Sequence, residues 1–283
     1  MGTMTIAAAA AGTNDTSGAR RLADVFGRTA GERRAAFIPY VVAGYPDAGT
    51  SLDVAIAIVD AGADILEIGL PYSDPLADGA TLQRASQVAL GQGASLDGSL
   101  RLIERIGAQR PDVPLVPMGY ANQIIGGGDG EAVLRRLARA GAAGVIVADL
   151  TPDEGGPFEA VARSVDMAVI YLVAPTTAPE RRTRIAGRSG GFLYCVSLVG
   201  LTGARSALAP EVRQLVADVR AVSPVPVAVG FGISTPEHVS AVSKAGADGV
   251  VVASALVDAL GADGRDITAA STLASELRAA TTR

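Results

Sequence analysis

The sequence predicts a single closed α/β barrel of eight parallel strands, and three observations lead to this prediction. Short apolar runs rich in β-branched residues alternate with amphipathic stretches, as in repeated strand–helix units of a parallel sheet. The runs number eight at fairly even spacing, and 283 residues is an ordinary length for one barrel. The predicted strands are Ala36–Val42, Ile65–Gly69, Leu115–Gly119, Gly144–Ala148, Ala168–Val173, Phe192–Ser197, Val227–Gly230 and Gly249–Ala253.

Helices are predicted between these strands, because apolar residues recur there at three- and four-residue spacing. An extra helix around Arg20–Arg33 precedes the first strand, and another around Ile267–Ala280 ends the chain. Residues 1–18, rich in Ala, Thr and Gly, are interpreted as a flexible leader, so the barrel domain is expected at 19–283. The helices between strands are predicted at Ser51–Ala61, Leu100–Ala108, Glu131–Ala140, Pro157–Ser164, Pro210–Ala221 and Pro236–Ala245.

The connection from the second strand to the third is the longest between predicted strands. It contains a polar loop, Pro71–Gly79, and an inserted helix, Thr81–Leu90. Long loops within compact domains are usually functional or disordered. Because this loop follows the carboxyl end of a barrel strand, where barrel enzymes carry their active sites, a functional role is favoured.

Composition excludes several classes of site. The only histidine, His238, and the only lysine, Lys244, both fall on one predicted surface helix. A histidine-rich metal site is therefore excluded, and a catalytic Schiff-base lysine or a Ser-His-Asp triad has no well-placed candidate. A net charge of −5 without a basic block argues against nucleic acid and anionic membranes.

The single cysteine, Cys195, precludes an internal disulfide framework and is interpreted as a buried apolar residue. No apolar run reaches the roughly 18 residues that a membrane span requires. A reducing cytoplasm is the expected location, because the chain has only one cysteine.

The first candidate for chemistry is Glu67, in the middle of the second strand. Side chains alternate along a strand, so Ile65, Glu67 and Gly69 share one face. A carboxylate is unfavourable beneath the helix layer, so Glu67 is expected to point into the barrel mouth, where burial raises its pKa. The alternative is a structural carboxylate held by a loop N–H or an arginine.

The second candidate is Asp78, in the loop that follows. Asp74, which precedes a proline, fits a turn residue better. Asp78 precedes Gly79 and the inserted helix, so it is either a helix N-cap or a catalytic group.

The segment Glu67–Gly79, EIGLPYSDPLADG, resembles the signature segment of tryptophan synthase alpha chains. The likeness extends over about residues 20–260 and includes Pro39–Pro46, Tyr120–Asn122, Asp149, Tyr194, Gly200–Ala204 and Gly230–Ser234. It implies a lyase of tryptophan biosynthesis that cleaves indole-3-glycerol phosphate into indole and glyceraldehyde 3-phosphate. It also implies that Glu67 and Asp78 are the catalytic pair.

The resemblance suggests further roles around this pair. Tyr194 would line the pocket near the glycerol carbon as a third catalytic-site residue, and Thr202 would close over the site. An apolar slot for the indole ring would be formed by Met118, Tyr120, Ile146 and Phe231. Plain core packing is the alternative for each slot residue.

A phosphate site is expected at the loops after the last two strands, where barrels commonly bind phosphate with free backbone N–H groups. The candidate residues are Gly203, Gly232, Ala253 and Ser254. The sequence departs from the family pattern at Ala253, where Gly is usual, and at Ala80, where Pro is usual. It also departs at Leu198 and Gln123.

The resemblance implies no cofactor or metal in this chain, pyridoxal phosphate being expected only on a beta-chain partner. Three alternatives stay open: a free-standing lyase that releases indole without a beta chain, another phosphate-sugar barrel isomerase, and a non-catalytic regulator. Several of the departures lie on loops that communicate with the beta chain in the family, so a free-standing lyase remains an alternative.

Overall fold

A computed structural model describes residues 16–126, 130–196, 210–230 and 232–283. All paired strands are parallel and form one sheet in the order β5-β4-β3-β2-β1-β9-β8-β7-β6. The strands are β1 Ala36–Val42, β2 Leu66–Gly69, β3 Leu115–Gly119, β4 Gly144–Val147, β5 Ala168–Ile170, β6 Leu172–Val173, β7 Leu193–Val196, β8 Val227–Gly230 and β9 Gly249–Val252.

The sheet is a barrel because its two end strands are halves of one strand. β5 pairs with β4, β6 pairs with β7, and only Tyr171 separates β5 from β6. The backbone N–H of Tyr194 donates to the Tyr171 carbonyl oxygen at 3.0 Å, which bonds this junction to β7. The eight-stranded prediction is confirmed, with the predicted fifth strand interrupted at one residue.

The helices surround the barrel, and two of them lie between β2 and β3. α8 follows β6 and was not predicted, because its sequence, PERRTRIAGR, is polar and buries only Ile185 and Ala186. The helices are α1 Ser17–Gly31, α2 Ala48–Asp60, α3 Ala80–Gly91, α4 Leu96–Gln109, α5 Ala121–Ile124, α6 Gly130–Arg139, α7 Gly156–Ser164, α8 Pro179–Arg188, α9 Pro210–Val222, α10 Pro236–Lys244, α11 Ser254–Ala259 and α12 Ile267–Ala279.

Polar caps define where several helices begin. Asp47 accepts hydrogen bonds from two backbone N–H groups of α2, and Ser95 and Asp266 cap α4 and α12 in the same way. Each cap satisfies donors that the first turn of a helix leaves unpaired. These caps therefore fix where α2, α4 and α12 begin.

Two apolar layers hold the barrel. The larger lies between the strands and the outer helices, and the smaller fills the barrel interior with side chains such as Ile38, Ile65 and Ile146. Leu22, Val25 and Phe26 of α1 join the interior layer, so this helix closes the amino-terminal end of the barrel. The interior therefore opens only toward the carboxyl ends of the strands.

The helix α1 begins two residues before the predicted domain start at residue 19. The Thr16 side chain accepts a hydrogen bond from the Ala19 N–H, and Gly18 donates its N–H to the Asp166 carbonyl oxygen at 2.9 Å. A β-carbon on Gly18 would lie 1.9 Å from the Ala143 carbonyl oxygen, so this close contact requires glycine. The described residues 16–18 are thus packed against the barrel.

Within the described ranges, no helix combines the length and the apolar character needed to cross a bilayer.

Candidate active site

Glu67 lies on β2 and points into the barrel, as the alternation of the strand predicts. Its side chain is buried, at 1% exposure, and both carboxylate oxygens lack a hydrogen-bond partner among the described residues. Burial, with a smaller contribution from the Asp78 charge, raises the pKa of Glu67 to about 8. An unpaired carboxyl in a core is unfavourable, so this group is expected to serve a function rather than stability.

Asp78 stands at the end of the β2–α3 loop and is not a helix cap. Gly79 occupies the N-cap position of α3, and no side chain caps this helix. Burial raises the pKa of Asp78 to about 6, and a hydrogen bond from the Tyr120 side chain opposes this rise. The structure therefore removes one of the two sequence-based interpretations of Asp78.

The β2–α3 loop is attached to the turn after β3. The Tyr120 hydroxyl accepts a hydrogen bond from the Ala77 N–H at 3.0 Å, and the Tyr72 and Tyr120 rings stack with centroids 5.2 Å apart. The Asn122 amide donates to the Tyr72 hydroxyl, and the Gln123 amide donates to the Pro71 carbonyl oxygen at 2.7 Å. Tyr120, predicted to line an apolar slot, thus also supports the loop that carries Asp78.

Tyr194 lies on the interior face of β7, opposite Ala228 of β8. Its phenol covers Gly230, because a β-carbon at that glycine would lie 2.7 Å from the Tyr194 hydroxyl oxygen. Burial raises the pKa of Tyr194 well above its ordinary value, and the nearby Glu67 charge adds to the rise. The structure thus brings Tyr194 to the same barrel mouth as the two carboxyls.

Tyr40 is a member of this site that the sequence reasoning missed. It pairs with Glu67 in the β1–β2 register and is 4% exposed. Burial and then the Asp78 and Glu67 charges raise the pKa of Tyr40 well above its ordinary value. The alternation of side chains along β1 could have identified Tyr40 from the sequence. Ala36 and Ile38 face the barrel interior, and Tyr40 is the next residue on the same face of the strand.

Met118 and Ile146 form one wall of the barrel mouth. They are register partners on β3 and β4, and both belong to or pack against the interior layer. Ile146 is fully buried and Met118 partly exposed, so Met118 is the nearer of the two to solvent. Phe231, the other predicted slot residue, lies outside the described residues.

Part of the predicted phosphate site is described. Gly232 follows β8 with a backbone φ of 60°, a left-handed conformation that glycine adopts readily. Ala253 is the N-cap residue of α11, and Ser254 is its first helical residue. Gly203 and Thr202 lie outside the described residues.

The single histidine and lysine are both on α10, as predicted. The His238 ring nitrogen Nδ1 lies 3.4 Å from the Ser234 backbone nitrogen, and Lys244 ends the helix. Across the ranges that the structure describes, no three His, Cys, Asp or Glu side chains converge in a metal-binding cluster. The titratable side chains gathered at the barrel mouth are carboxyls and phenols, namely Glu67, Asp78, Tyr40, Tyr120 and Tyr194.

The fold and these side chains define the class: an α/β barrel with the carboxyls of Glu67 and Asp78 near the end at which barrel enzymes carry their active sites. The family model for the tryptophan synthase alpha chain matches residues 26–282. The chain belongs to the family of tryptophan synthase alpha chains, and with it to the lyases of tryptophan biosynthesis.

Relatives and solved structures agree with this assignment. The tryptophan synthase alpha chain of Gloeobacter violaceus is 47% identical over 85% of this chain and 86% of its own length. The tryptophan synthase alpha chain of Methanothermobacter thermautotrophicus is 44% identical over 86% of this chain and 89% of its own length. A structure of Mycobacterium tuberculosis tryptophan synthase superimposes with a TM-score of 0.86 at 38% identity, covering 93% of this chain and 98% of that one. The barrel prediction is confirmed by this similarity.

Proposed function

We propose that this chain cleaves indole-3-glycerol phosphate by a retro-aldol reaction, releasing indole and glyceraldehyde 3-phosphate. The observation that carries the proposal is the Glu67 carboxyl, which is buried, has no hydrogen-bond partner among the described residues and has a pKa raised to about 8. The Asp78 charge contributes to this rise. At neutral pH Glu67 is then mostly protonated and able to donate a proton in a dry pocket. The chain's family is consistent with this reaction.

In the first step the protonated Glu67 transfers its proton to C3 of the indole ring. The ring becomes an indolenine, whose positively charged nitrogen accepts the electrons of the bond to be broken. Glu67 becomes a carboxylate and can then take the proton of the adjacent glycerol hydroxyl. The oxygen lone pair forms the aldehyde, the carbon–carbon bond breaks, and its electron pair restores the aromatic ring.

Asp78 acts in its ionised form. Its carboxylate accepts a hydrogen bond from the indole N–H and offsets the positive charge that develops on the ring nitrogen. The pKa of about 6 keeps Asp78 mostly ionised at neutral pH while Glu67 is mostly protonated. Two carboxyls with pKa values on opposite sides of neutrality can divide the acid and electrostatic roles.

The remaining predicted residues would bind the two ends of the substrate. Met118, Ile146 and Phe231 would contact the indole ring, Tyr120 would border it, and Tyr194 would contact the glycerol carbon. Gly203, Gly232, Ala253 and Ser254 would bind the phosphate with backbone N–H groups, and Thr202 would close the site.

The chain is proposed to work in the cytoplasm with a tryptophan synthase beta chain, which would carry pyridoxal phosphate and consume the indole. The M. tuberculosis structures to which the chain is similar are of tryptophan synthase.

The test is to follow indole release from indole-3-glycerol phosphate by the purified chain, alone and with an added tryptophan synthase beta chain. Slow release that rises with the beta chain supports the proposal. Fast release without it identifies a free-standing lyase, and no release under either condition contradicts the reaction.

A matched pair of variants assigns the chemistry. Glu67→Gln should lower kcat by about 10²–10⁴-fold, the usual contribution of a general acid–base group. Glu131→Gln removes a carboxylate that pairs with Arg135 on the exposed face of α6 and should leave kcat unchanged.

A further inference from the structure

The side chain of Gln123 attaches the β2–α3 loop to the turn that follows β3. Its amide nitrogen Nε2 donates a hydrogen bond to the carbonyl oxygen of Pro71, the first residue of the loop 71–79, at 2.7 Å. A carbonyl oxygen can only accept a hydrogen bond, so the atom beside it must be the amide nitrogen. The amide oxygen Oε1 therefore points toward Gly119, where an added β-carbon would lie 2.8 Å from it.

The amide oxygen of Gln123 is buried and has no hydrogen-bond partner among the described residues. Burying a polar atom without a partner is unfavourable, and an apolar side chain of similar size would avoid this. Core stability is therefore a poor reason for an amide at this position. What the amide provides is the hydrogen bond to Pro71, at the start of the loop that carries Asp78.

Hydrogen bonds within the loop and from α3 join the loop residues into one unit. The Asp78 N–H donates to the Pro75 carbonyl oxygen at 3.0 Å, and the Gln83 amide donates to the Asp78 carbonyl oxygen at 2.9 Å. Gln83 lies only five residues after Asp78, so it shapes this unit without attaching it to another strand. Displacing the first loop residue should therefore displace Asp78 as well.

This unit is attached to the barrel through residues that follow β3. Gln123 is 52 residues from Pro71, and Tyr120, whose hydroxyl accepts from the Ala77 N–H, is 43 residues from its partner. Tyr120 also hydrogen-bonds to the Asp78 side chain, so replacing it would change several features of the site at once. In the described structure the Gln123 side chain bonds to the Pro71 backbone alone, and its replacement therefore tests the attachment of the loop.

We propose that Gln123 is a positioning residue, whose amide holds the start of the β2–α3 loop against the turn after β3 and thereby keeps the Asp78 carboxyl where it meets the substrate. The inference rests on the proposed function and deepens it. Without the amide, the loop is displaced for part of the time, and only the fraction in place can bind substrate. The apparent affinity falls with that fraction, whereas the bound complex still has Asp78 in place.

The experiment compares KM and kcat for indole release in the unaltered chain and in Gln123→Leu, which removes both amide atoms. One neutral hydrogen bond corresponds to about a fivefold change in an equilibrium constant. Gln123→Leu should therefore raise KM about fivefold and leave kcat within about twofold. A purely structural role would lower stability and leave the KM of the folded protein unchanged.

Hydrogen exchange measures the position of the loop directly and needs no substrate. The amides of residues 71–79 should exchange about fivefold faster in the unliganded Gln123→Leu chain, while those of α12 should keep the rates of the unaltered chain. Gln214→Leu is the matched control, because it removes an amide hydrogen bond to Asp218 on the exposed face of α9. This control should change neither KM nor the exchange of the loop.

A second variant tests the same contact without removing the amide. Gly119→Ala places a β-carbon in the space that the Gln123 amide oxygen occupies. It should therefore displace the amide and raise KM in the same way, even if Gln123→Leu does not fold.

A third variant stiffens the other end of the loop. Ala80 is the first residue of α3, and Gly79 before it is extended, with φ −72° and ψ 165°, so proline fits at position 80. Ala80→Pro should change KM little in the unaltered chain, where the amide already holds the loop. Combined with Gln123→Leu, it should recover part of the lost affinity.

Three results would overturn the inference while leaving the proposed function in place. They are an unchanged KM in Gln123→Leu, a fall in kcat without a rise in KM, and unchanged exchange across residues 71–79. A chain that releases no indole under any condition overturns the proposed function, and the exchange rates then decide separately whether Gln123 holds the loop.

Discussion

Two buried carboxyls that are three residues apart, Asp64 just before β2 and Glu67 within it, have opposite surroundings. Asp64, just before β2 at the closed end of the barrel, accepts two hydrogen bonds from Arg34 at 2.5 and 2.8 Å, and others from Phe37 and Arg28. Glu67, three residues later, has no partner among the described residues. Both side chains are at most 4% exposed, so burial alone does not distinguish them.

The comparison separates stability from function. At the closed end, each buried charge is paired and α1 covers the strands, so that end contributes to a defined fold. At the open end, an unpaired carboxyl and two phenols remain available to a ligand. Keeping such polar groups buried without partners lowers the free energy of unfolding, and the packing of the rest of the barrel offsets this loss.

The largest expected effect on stability is at the closed end. Asp64→Asn should lower the free energy of unfolding by about 3–5 kcal/mol, because it leaves the buried Arg34 charge without its two-point partner. Urea unfolding measures this change, and kcat of the folded fraction should stay the same. A loss below about 1 kcal/mol would show that Glu32, the other partner of Arg34, suffices.

At the open end, replacing the buried carboxyl of Glu67 is expected to raise the free energy of unfolding rather than lower it. The folded-state pKa of Glu67 is about 8 against an ordinary 4.5, so the folded chain binds more protons than the unfolded chain between these values. Its stability therefore falls as pH rises through this window. Glu67→Gln should remove this loss and raise the free energy of unfolding by about 3 kcal/mol at pH 7, with no gain below pH 4.5.

The matched control for Glu67 is Glu159 on α7, a carboxyl that is equally buried but fully paired. It accepts hydrogen bonds from the Tyr171 hydroxyl at 2.6 Å and from Arg188. Glu159→Gln should lower stability at pH 7 where Glu67→Gln raises it. Equal signs for the two variants would contradict the distinction between paired and unpaired carboxyls.

The pH dependence of kcat/KM should be bell-shaped, with a maximum near pH 7. Activity should fall about tenfold per unit below pH 6, where Asp78 gains a proton, and above pH 8, where Glu67 loses one. The two groups interact, so the midpoints belong to the pair. Asp78→Asn should abolish the acidic limb, and an acidic limb that persists would assign it to another group.

The smallest expected effect is on the exposed surface. Asp258 on α11 accepts hydrogen bonds from Thr81 and Arg84 of α3, but the Arg84 and Asp258 side chains are 63% and 55% exposed. Asp258→Ala should change the free energy of unfolding by less than about 1 kcal/mol, and addition of salt should reduce the difference. Thermal unfolding at low and high salt checks this.

The barrel and its main carboxyl could be predicted from the sequence for local reasons. Apolar runs and their spacing mark strands such as Ala36–Val42 whatever lies around them. Side chains alternate along a strand, and a carboxylate is unfavourable beneath the helix layer, so Glu67 is expected to point into the barrel. The raised pKa of Glu67 followed from that direction.

Other features needed the positions of residues distant in sequence. The sequence left Asp78 between a cap and a catalytic group, and the helix that begins after Gly79 decided against the cap. Tyr40 stayed unnoticed because its relation to Glu67 depends on the β1–β2 register. The break at Tyr171 depends on pairing with β4 on one side and β7 on the other.

By itself, the sequence determined the fold class, the order of the strands and the inward direction of Glu67, because these depend on hydrophobic periodicity and residue chemistry within short segments. Only the tertiary structure decided which buried charges are paired and which phenols meet at the barrel mouth. Closure of the barrel puts Tyr40, Tyr120 and Tyr194 from three separate strands and turns around one opening. Pairing and desolvation are properties of that closed arrangement, and they separate Asp64 from Glu67.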